Sequence, residues 1–228
     1  MARNSQFLYA DILAALLART RVWLDLGCGH QFVPEWVPAR ELADRAARTM
    51  AVGVDGDYSS LSRHTGLSVK VAADVERLPL AARTFDLVTA NMVVEHVADP
   101  HQLFAEVARV LMPGGRFLVH TPNAHGYTTT MARLVPSSLR PRVAGMLQGR
   151  RAEDVYPTHY RANSVRALGE LAARHGFATE RLDTINSSAQ LFRVPIAGWL
   201  EDRWLQMISG RAFARLRPCI LAVFTRTD

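Results

Sequence analysis

Lysine is nearly absent from this chain. Lys70 is the one lysine among 27 basic residues, and the rest are arginine. Cysteine is scarce too: Cys28 and Cys219 are the only two in 228 residues. Two cysteines exclude a disulfide framework and a thiolate zinc set, and a reducing cytoplasm is the expected compartment. No apolar run reaches the roughly 18 residues a membrane-spanning helix needs. Asp11 interrupts the apolar N-terminus and no clear small-residue cleavage site follows, so no signal peptide is expected. Internal repeats and low-complexity linkers are absent, which favours a single domain over residues 1–228. With 49% hydrophobic residues, that domain has enough apolar material for a full core. The net charge of +6 is compatible with an acidic partner. The arginines are scattered, however, and a bias in coding composition explains them more simply than phosphate contact. Arg133–Arg151 is the exception, with Arg140/Arg142 and Arg150/Arg151 close together. It is a candidate patch for a phosphate-bearing substrate or a membrane surface.

What the chain does have is centred on Val22-Trp23-Leu24-Asp25-Leu26-Gly27-Cys28-Gly29-His30. A short apolar run enters a glycine turn, which predicts a strand over 21–26. Gly27 and Gly29 let the backbone turn sharply and leave no side chain between it and a ligand. Asp25 brings a carboxylate to the end of an otherwise apolar strand, the edge at which open α/β sheets bind ligands. An aspartate beside a glycine turn can also serve only to cap that turn.

The remaining pattern alternates helix and strand. Helices are expected over 5–19 (capped by Ser5, with Leu8, Ile12, Ala15 and Leu16 at helical spacing), 35–48 (Trp36, Leu42 and Ala46 toward the sheet) and 59–64. Strands are expected over 50–54, 68–73 and 85–90. A helix over 99–111 is capped by Asp99 and ended by Pro113-Gly114-Gly115, and a fifth strand covers 116–121. Residues 122–160 are long and irregular, as functional segments often are. A helix over 163–175, a strand over 177–182, an insertion over 184–218 with a helix near 196–208, and a strand over 220–226 complete the chain. Four strands in succession end at Asp25, Asp55, Asp74 and Asn91. In a parallel sheet those ends share one edge, so three carboxylates and an amide line one crevice.

The order of these motifs resembles the class I S-adenosylmethionine-dependent methyltransferases, in the small-molecule group called type 11. The resemblance is carried by Val22–His30, Val52–Asp57, Ala73–Leu80, Thr84–His96 and Arg109–Val119, about 100 residues in the family's order. It implies a Rossmann-like α/β fold: a seven-stranded, mostly parallel sheet with helices on both faces, the last strand antiparallel. The segments 122–160 and 184–218 are then expected to cap the substrate site. The implied cofactor is S-adenosyl-L-methionine. Gly27, Cys28 and Gly29 would meet its methionine part and ribose through backbone atoms, and Asp25 would lie by its amino group. Asp55, with Gly56, would accept both ribose hydroxyls, in preference to Asp57. Asp74 would accept from the adenine amine while Val75 packs on the ring. Asn91 and Met92 would lie near the methyl-transfer position. Where metal-using members of the group carry an acid, this chain has Met92, so no metal is expected. His30-Gln31 replaces a further glycine of the family loop, and Leu78-Pro79-Leu80 replaces a more usual Leu-Pro-Phe.

Methyl transfer requires alignment of the nucleophile and exclusion of water, and a hydroxyl nucleophile gains from a general base. His96, His159 and Tyr160 are the candidate catalytic residues, with His125 and Tyr127 as further possibilities. The alternative for His96, and for the His159-Tyr160-Arg161 trio, is a role in anchoring loops. Trp199 and Trp204 suit packing better than a substrate wall. A dinucleotide oxidoreductase is disfavoured because Phe32 stands at the third fingerprint position after Gly27 and Gly29. A nucleic-acid methyltransferase is disfavoured because Asn91-Met92-Val93-Val94 replaces the Asn/Asp-Pro-Pro-aromatic motif of amino-directed enzymes. A non-catalytic module of the same fold remains open, though the intact acids speak against it. The expected acceptor is a small molecule, glycan or lipid-linked intermediate methylated at a hydroxyl, with no nucleic-acid partner.

Overall fold

A computed structural model describes residues 4–134, 157–187 and 195–227. The Arg140–Arg151 part of the basic segment and residues 188–194 of the second cap lie outside them.

The described chain runs α1 (Ser5–Leu17), β1 (Val22–Leu26), α2 (Arg40–Ala46), β2 (Met50–Asp55), α3 (Tyr58–Arg63), β3 (Val69–Ala72) and β4 (Phe85–Asn91). A 3-10 turn at Val94–His96 leads to α4 (Pro100–Val110), β5 (Leu111–Pro122) and α5 (Tyr127–Leu134). Then come α6 (Val165–Arg174), β6 (Phe177–Ile185), α7 (Pro195–Met207), a 3-10 turn at Arg211–Leu216, and β7 (Cys219–Arg226). The seven strands form one sheet in the order β3-β2-β1-β4-β5-β7-β6. The first five are parallel, and β7 pairs antiparallel with both β5 and β6. This is the parallel sheet that the alternating pattern predicts, completed by the antiparallel last strand that the family resemblance implies.

The buried side chains fall into two clusters. One gathers Leu24, Val88, Phe104, Phe117 and Phe224 with α4 and α6. The other gathers Tyr9, Leu13, Trp23, Leu118 and Leu221 with α1 and α2. The central strands are buried almost throughout, as strands of a parallel sheet covered on both sides must be. Asp99 caps α4 by accepting from the N–H groups of His101 and Gln102 at 3.0 and 3.2 Å, and Pro100 occupies the first turn.

Several local expectations need correction. The cap of α1 is Asn4, whose side chain accepts from Gln6 N–H. Ser5 instead sends its hydroxyl to Ser187 at 3.0 Å. The buried face of α1 is Tyr9, Leu13 and Leu17, while Leu8, Ile12 and Leu16 are half-buried on its flank and Ala15 is exposed. The helix expected over 35–48 forms only at Arg40–Ala46, because Pro38 disfavours helical backbone at the residue before it. Trp36 is therefore 48% exposed, edge-on to Phe7 at 5.8 Å, and not directed to the sheet. Pro113-Gly114-Gly115 lies inside one long strand: β5 begins at Leu111, and pairing with β4 skips from Phe85↔Leu111 to Leu87↔Arg116. This irregularity is a bulge, which keeps β5 paired with β4 where a turn would have ended the strand.

Candidate active site

The strand order reverses between β1 and β4: β2 and β3 lie to one side, and β4 and β5 to the other. Such a switch point opens a crevice at the carboxyl ends of the strands, and the glycine turn after β1 enters it. Gly27 and Gly29 both adopt left-handed backbone, with φ of 59° and 53°. A Cβ on Gly27 would overlap the Val93 side chain, whereas one on Gly29 would meet nothing within 4 Å. The first glycine is thus needed for conformation and fit. The second leaves open space above the turn, a cradle for a ligand against bare backbone.

Asp25 pairs with Gly53 on one side and Thr89 on the other. It is only 4% exposed. Among the described residues its one hydrogen-bond donor is the Thr89 hydroxyl, 2.5 Å from Oδ1. That hydroxyl accepts in turn from the Trp23 indole N–H at 2.8 Å. Burial, partly offset by the Thr89 bond and reinforced by the negative Asp55, raises the Asp25 pKa to about 7. A buried carboxylate with one neutral donor is a poorly satisfied anion, and a cation beside it would restore it to the ionised form.

Asp55 ends β2. Its Oδ2 accepts from Gly29 N–H and its Oδ1 from Asp57 N–H, both at 2.8 Å. Each oxygen keeps a second lone pair, so the carboxylate fixes the glycine turn and can still receive two ligand hydroxyls. Asp57 is occupied as the cap of α3, accepting from Ser59 N–H and Ser60 Oγ. Gly56, between them, is exposed. Asp74 lies two residues beyond the end of β3, exposed, with Oδ1 accepting from Glu76 N–H at 2.9 Å. Val75 packs half-buried on the first core cluster. The Cys28 thiol is turned inward: it is buried, lies where a Cβ on Gly53 would be, and its pKa is driven up by burial. Only the backbone of Cys28 is left for a ligand, and its N–H bonds Val54 O at 3.3 Å.

Asn91 ends β4 in a network invisible at the level of sequence. Its amide exchanges two bonds with Gln6 of α1, at 3.2 and 3.0 Å. Its oxygen also meets His120 Nδ1 at 2.8 Å. Because an amide oxygen only accepts, Nδ1 carries the proton and His120 is neutral; burial lowers its pKa to about 3. His120 Nε2 is buried without a hydrogen-bond partner among the described residues, and its ring stacks on that of buried Tyr9 at 5.5 Å. With its oxygen taken twice, Asn91 offers a ligand an N–H and not an acceptor. Met92 follows with φ of 58°, an uncommon conformation for a side chain of its size. Its N–H bonds His120 O at 2.7 Å.

The catalytic candidates come together on the β4–β5 side. The N–H groups of His159 and Tyr160 both reach the Glu95 carbonyl, at 2.7 and 3.2 Å. His96 Nδ1 lies 2.8 Å from the Pro157 carbonyl and therefore donates to it, leaving Nε2 as the basic nitrogen, 3.9 Å from Glu95 Oε1. Tyr160 has φ of 53°; strain of this kind costs about 1–3 kcal/mol and gathers at functional sites. Beneath them, buried Glu95 accepts from Thr121 Oγ1 at 2.9 Å, and that hydroxyl accepts from Asn163 Nδ2 at 2.6 Å. His125 is exposed and Tyr127 turns away, donating to Glu201 at 3.1 Å. A cavity of about 170 Å³ lined by Leu16, Arg19, Asp86 and Gly114 lies at the opposite ends of the strands, apart from this crevice.

Sequence reasoning missed Gln6, Tyr9, Thr89 and His120. Thr89 and His120 stand out as polar residues in apolar strands, which was the available signal.

Comparison with known proteins identifies the family. Residues 24–119 match the family profile described as a methyltransferase domain. A demethylmenaquinone methyltransferase of Mycobacterium sp. (strain KMS) is 31% identical over 190 residues, 82% of this chain and 71% of that one. A biotin biosynthesis bifunctional protein of Cellvibrio japonicus is 35% identical over 113 residues, 49% of this chain but only 21% of that much longer one. An S-adenosylmethionine-dependent methyltransferase from Mesorhizobium loti shares the fold at a TM-score of 0.60 and 22% identity, covering 95% of this chain and 96% of that one. The chain is an enzyme of the class I S-adenosylmethionine-dependent methyltransferases and belongs to their type 11 group.

Proposed function

We propose that this enzyme methylates a hydroxylated, lipid-linked small molecule. The observation that carries this reading is the match over 82% of the chain to a protein named for a demethylated menaquinone. S-adenosylmethionine supplies a methyl group activated by a sulfonium; this chain's residues bind it and prepare the acceptor. The crevice fits that cofactor: an under-satisfied buried carboxylate at Asp25 for the amino group, open backbone at Gly29, and two acceptor oxygens at Asp55 for the ribose. Asn91, restricted to donating, suits the methionine carboxylate, and Asp74 with Val75 suits the adenine. Cys28, Gly56 and Met92 contribute backbone and shape.

On the acceptor side His96 is the proposed base. Its Nδ1–H is held by Pro157 O, which puts the lone pair on Nε2, the atom proposed to take the proton of the acceptor hydroxyl. That proton transfer prepares either the oxygen or, in a hydroxylated ring, the adjacent carbon for attack on the methyl group. His159 and Tyr160, tied to Glu95, form the wall that excludes water.

The test is an acceptor screen with methyl-labelled cofactor, spanning polyprenyl-linked quinols, simple phenols, sugars, carrier-linked carboxylates and RNA. Label in the lipid-linked ring compounds, lost in His96→Ala, is the expected result. Label only in water-soluble sugars or in RNA would overturn it.

A further inference from the structure

Of the large apolar side chains that stand exposed among the described residues, four fall within fifteen positions of one another: Trp199, Leu200, Met207 and Phe213, at 60, 55, 51 and 43% exposure. Three of them belong to α7. At 100° per residue, Trp199, Leu200, Arg203, Gln206 and Met207 share one face of that helix. Glu201, Leu205 and Ile208 lie on the opposite side and are buried against the body of the protein. That inner side is fully engaged: Glu201 accepts from Tyr127, and Trp204 meets Tyr127 edge-on at 5.9 Å. The outer face is therefore a second apolar surface on a helix already docked by its first. A soluble helix normally carries polar residues there.

The exposed charge on this outer face is positive. Arg203 is exposed with its guanidinium 5.7 Å from the Trp199 ring centroid, and Asp202 lies half-buried at the edge of the face. Phe213 and Arg215 add a further exposed aromatic and cation on the 3-10 turn that follows. Tryptophan, leucine and methionine projecting outward with arginine among them is the composition of a helix lying in a lipid interface. The apolar side chains enter the acyl boundary and the guanidinium groups meet phosphates. A protein partner of equal size would need acids opposite both arginines; an anionic bilayer supplies negative charge without any fixed register. The charge of the whole chain, +6, draws it the same way.

We propose that the outer face of α7, with Phe213 and Arg215, is a docking surface for anionic lipid bilayers. The surface does not depend on which acceptor the enzyme uses: a water-soluble acceptor would leave it intact, and the acceptor screen above does not test it.

The experiment is co-sedimentation of the full chain with vesicles of phosphatidylcholine alone or mixed equally with phosphatidylglycerol. Quenching of tryptophan fluorescence by brominated acyl chains is read in parallel. Binding to the anionic vesicles at least tenfold stronger than to the neutral ones is expected, weakening as salt is raised. The double variant Trp199→Ser/Leu200→Ser should lose at least tenfold of that binding and most of the quenching. Cofactor affinity and thermal midpoint should stay near wild type, which reports an intact fold. Arg203→Gln/Arg215→Gln should lose the preference for anionic lipid while keeping weak binding. Three results would overturn the proposal: no binding at millimolar lipid, binding unchanged in the double variant, or sedimentation velocity showing a dimer that the double variant dissociates.

Discussion

Replacing Asp25 with asparagine should make the ligand-free protein more stable and the enzyme nearly unable to hold its cofactor. Burial raises the Asp25 pKa from 3.8 to about 7. Between those values the folded state holds a proton that the unfolded state has released, so stability falls as pH rises through this window. At about 1.4 kcal/mol per unit, the full loss above pH 7 is of order 4 kcal/mol, and partial access of the carboxylate to the crevice reduces it to about 2–4 kcal/mol. Asparagine keeps the acceptor for the Thr89 hydroxyl and removes the charge. Asp25→Asn should therefore melt about 5–10 °C above wild type at pH 8. The gap should narrow steadily toward pH 5, where the wild-type carboxyl is protonated in the fold. With S-adenosylmethionine present the order should reverse, because losing the charge opposite a partly buried ammonium costs about 3–5 kcal/mol, or about two to four orders of magnitude in Kd. Differential scanning calorimetry across pH, with and without cofactor, reads both effects. Equal melting of the two proteins at pH 8, or cofactor affinity within threefold, would refute the reasoning.

Gly27→Ala should destabilise the fold by about 2–4 kcal/mol, since the new methyl group meets Val93 and the backbone is left-handed; chemical denaturation checks this. His120→Phe should remove an acid-labile element. The neutral imidazole, with its pKa lowered to about 3, makes wild-type stability fall as pH drops from about 6.5 toward 3, and the variant's acid limb should be shallower over that range. His96→Ala should lower kcat about 100-fold with cofactor Kd unchanged; a fall in cofactor affinity instead would mark His96 as a loop anchor only.

The sheet and the crevice were legible in the sequence because both follow from local signals. Apolar strands ending in Asp25, Asp55 and Asn91 identify themselves, and a parallel sheet then gathers their ends. Asp99 as a helix cap was readable for the same reason. What escaped notice depends on contacts distant in the chain. Thr89 reaches Asp25 only because β1 and β4 are neighbours, and Asn91 is held by Gln6 of the first helix. The buried face of α1 was misjudged by one position because that helix is apolar nearly all round, so spacing could not choose between Leu8 and Tyr9. Trp36 looked like core because of its type, while Pro38, two residues later, prevented the helix that would have turned it inward. Gly114 and Gly115 announced a turn but not that the chain would stay in the sheet through it.

The most direct measurement is calorimetric titration of the protein with S-adenosylmethionine, wild type beside Asp55→Ala. The account predicts micromolar binding by the wild type. In the variant, which loses the two proposed ribose acceptors and the anchor of Gly29, binding should be about 100-fold weaker or absent. A folded wild type that takes up no cofactor, or a variant that binds as tightly as wild type, would contradict it.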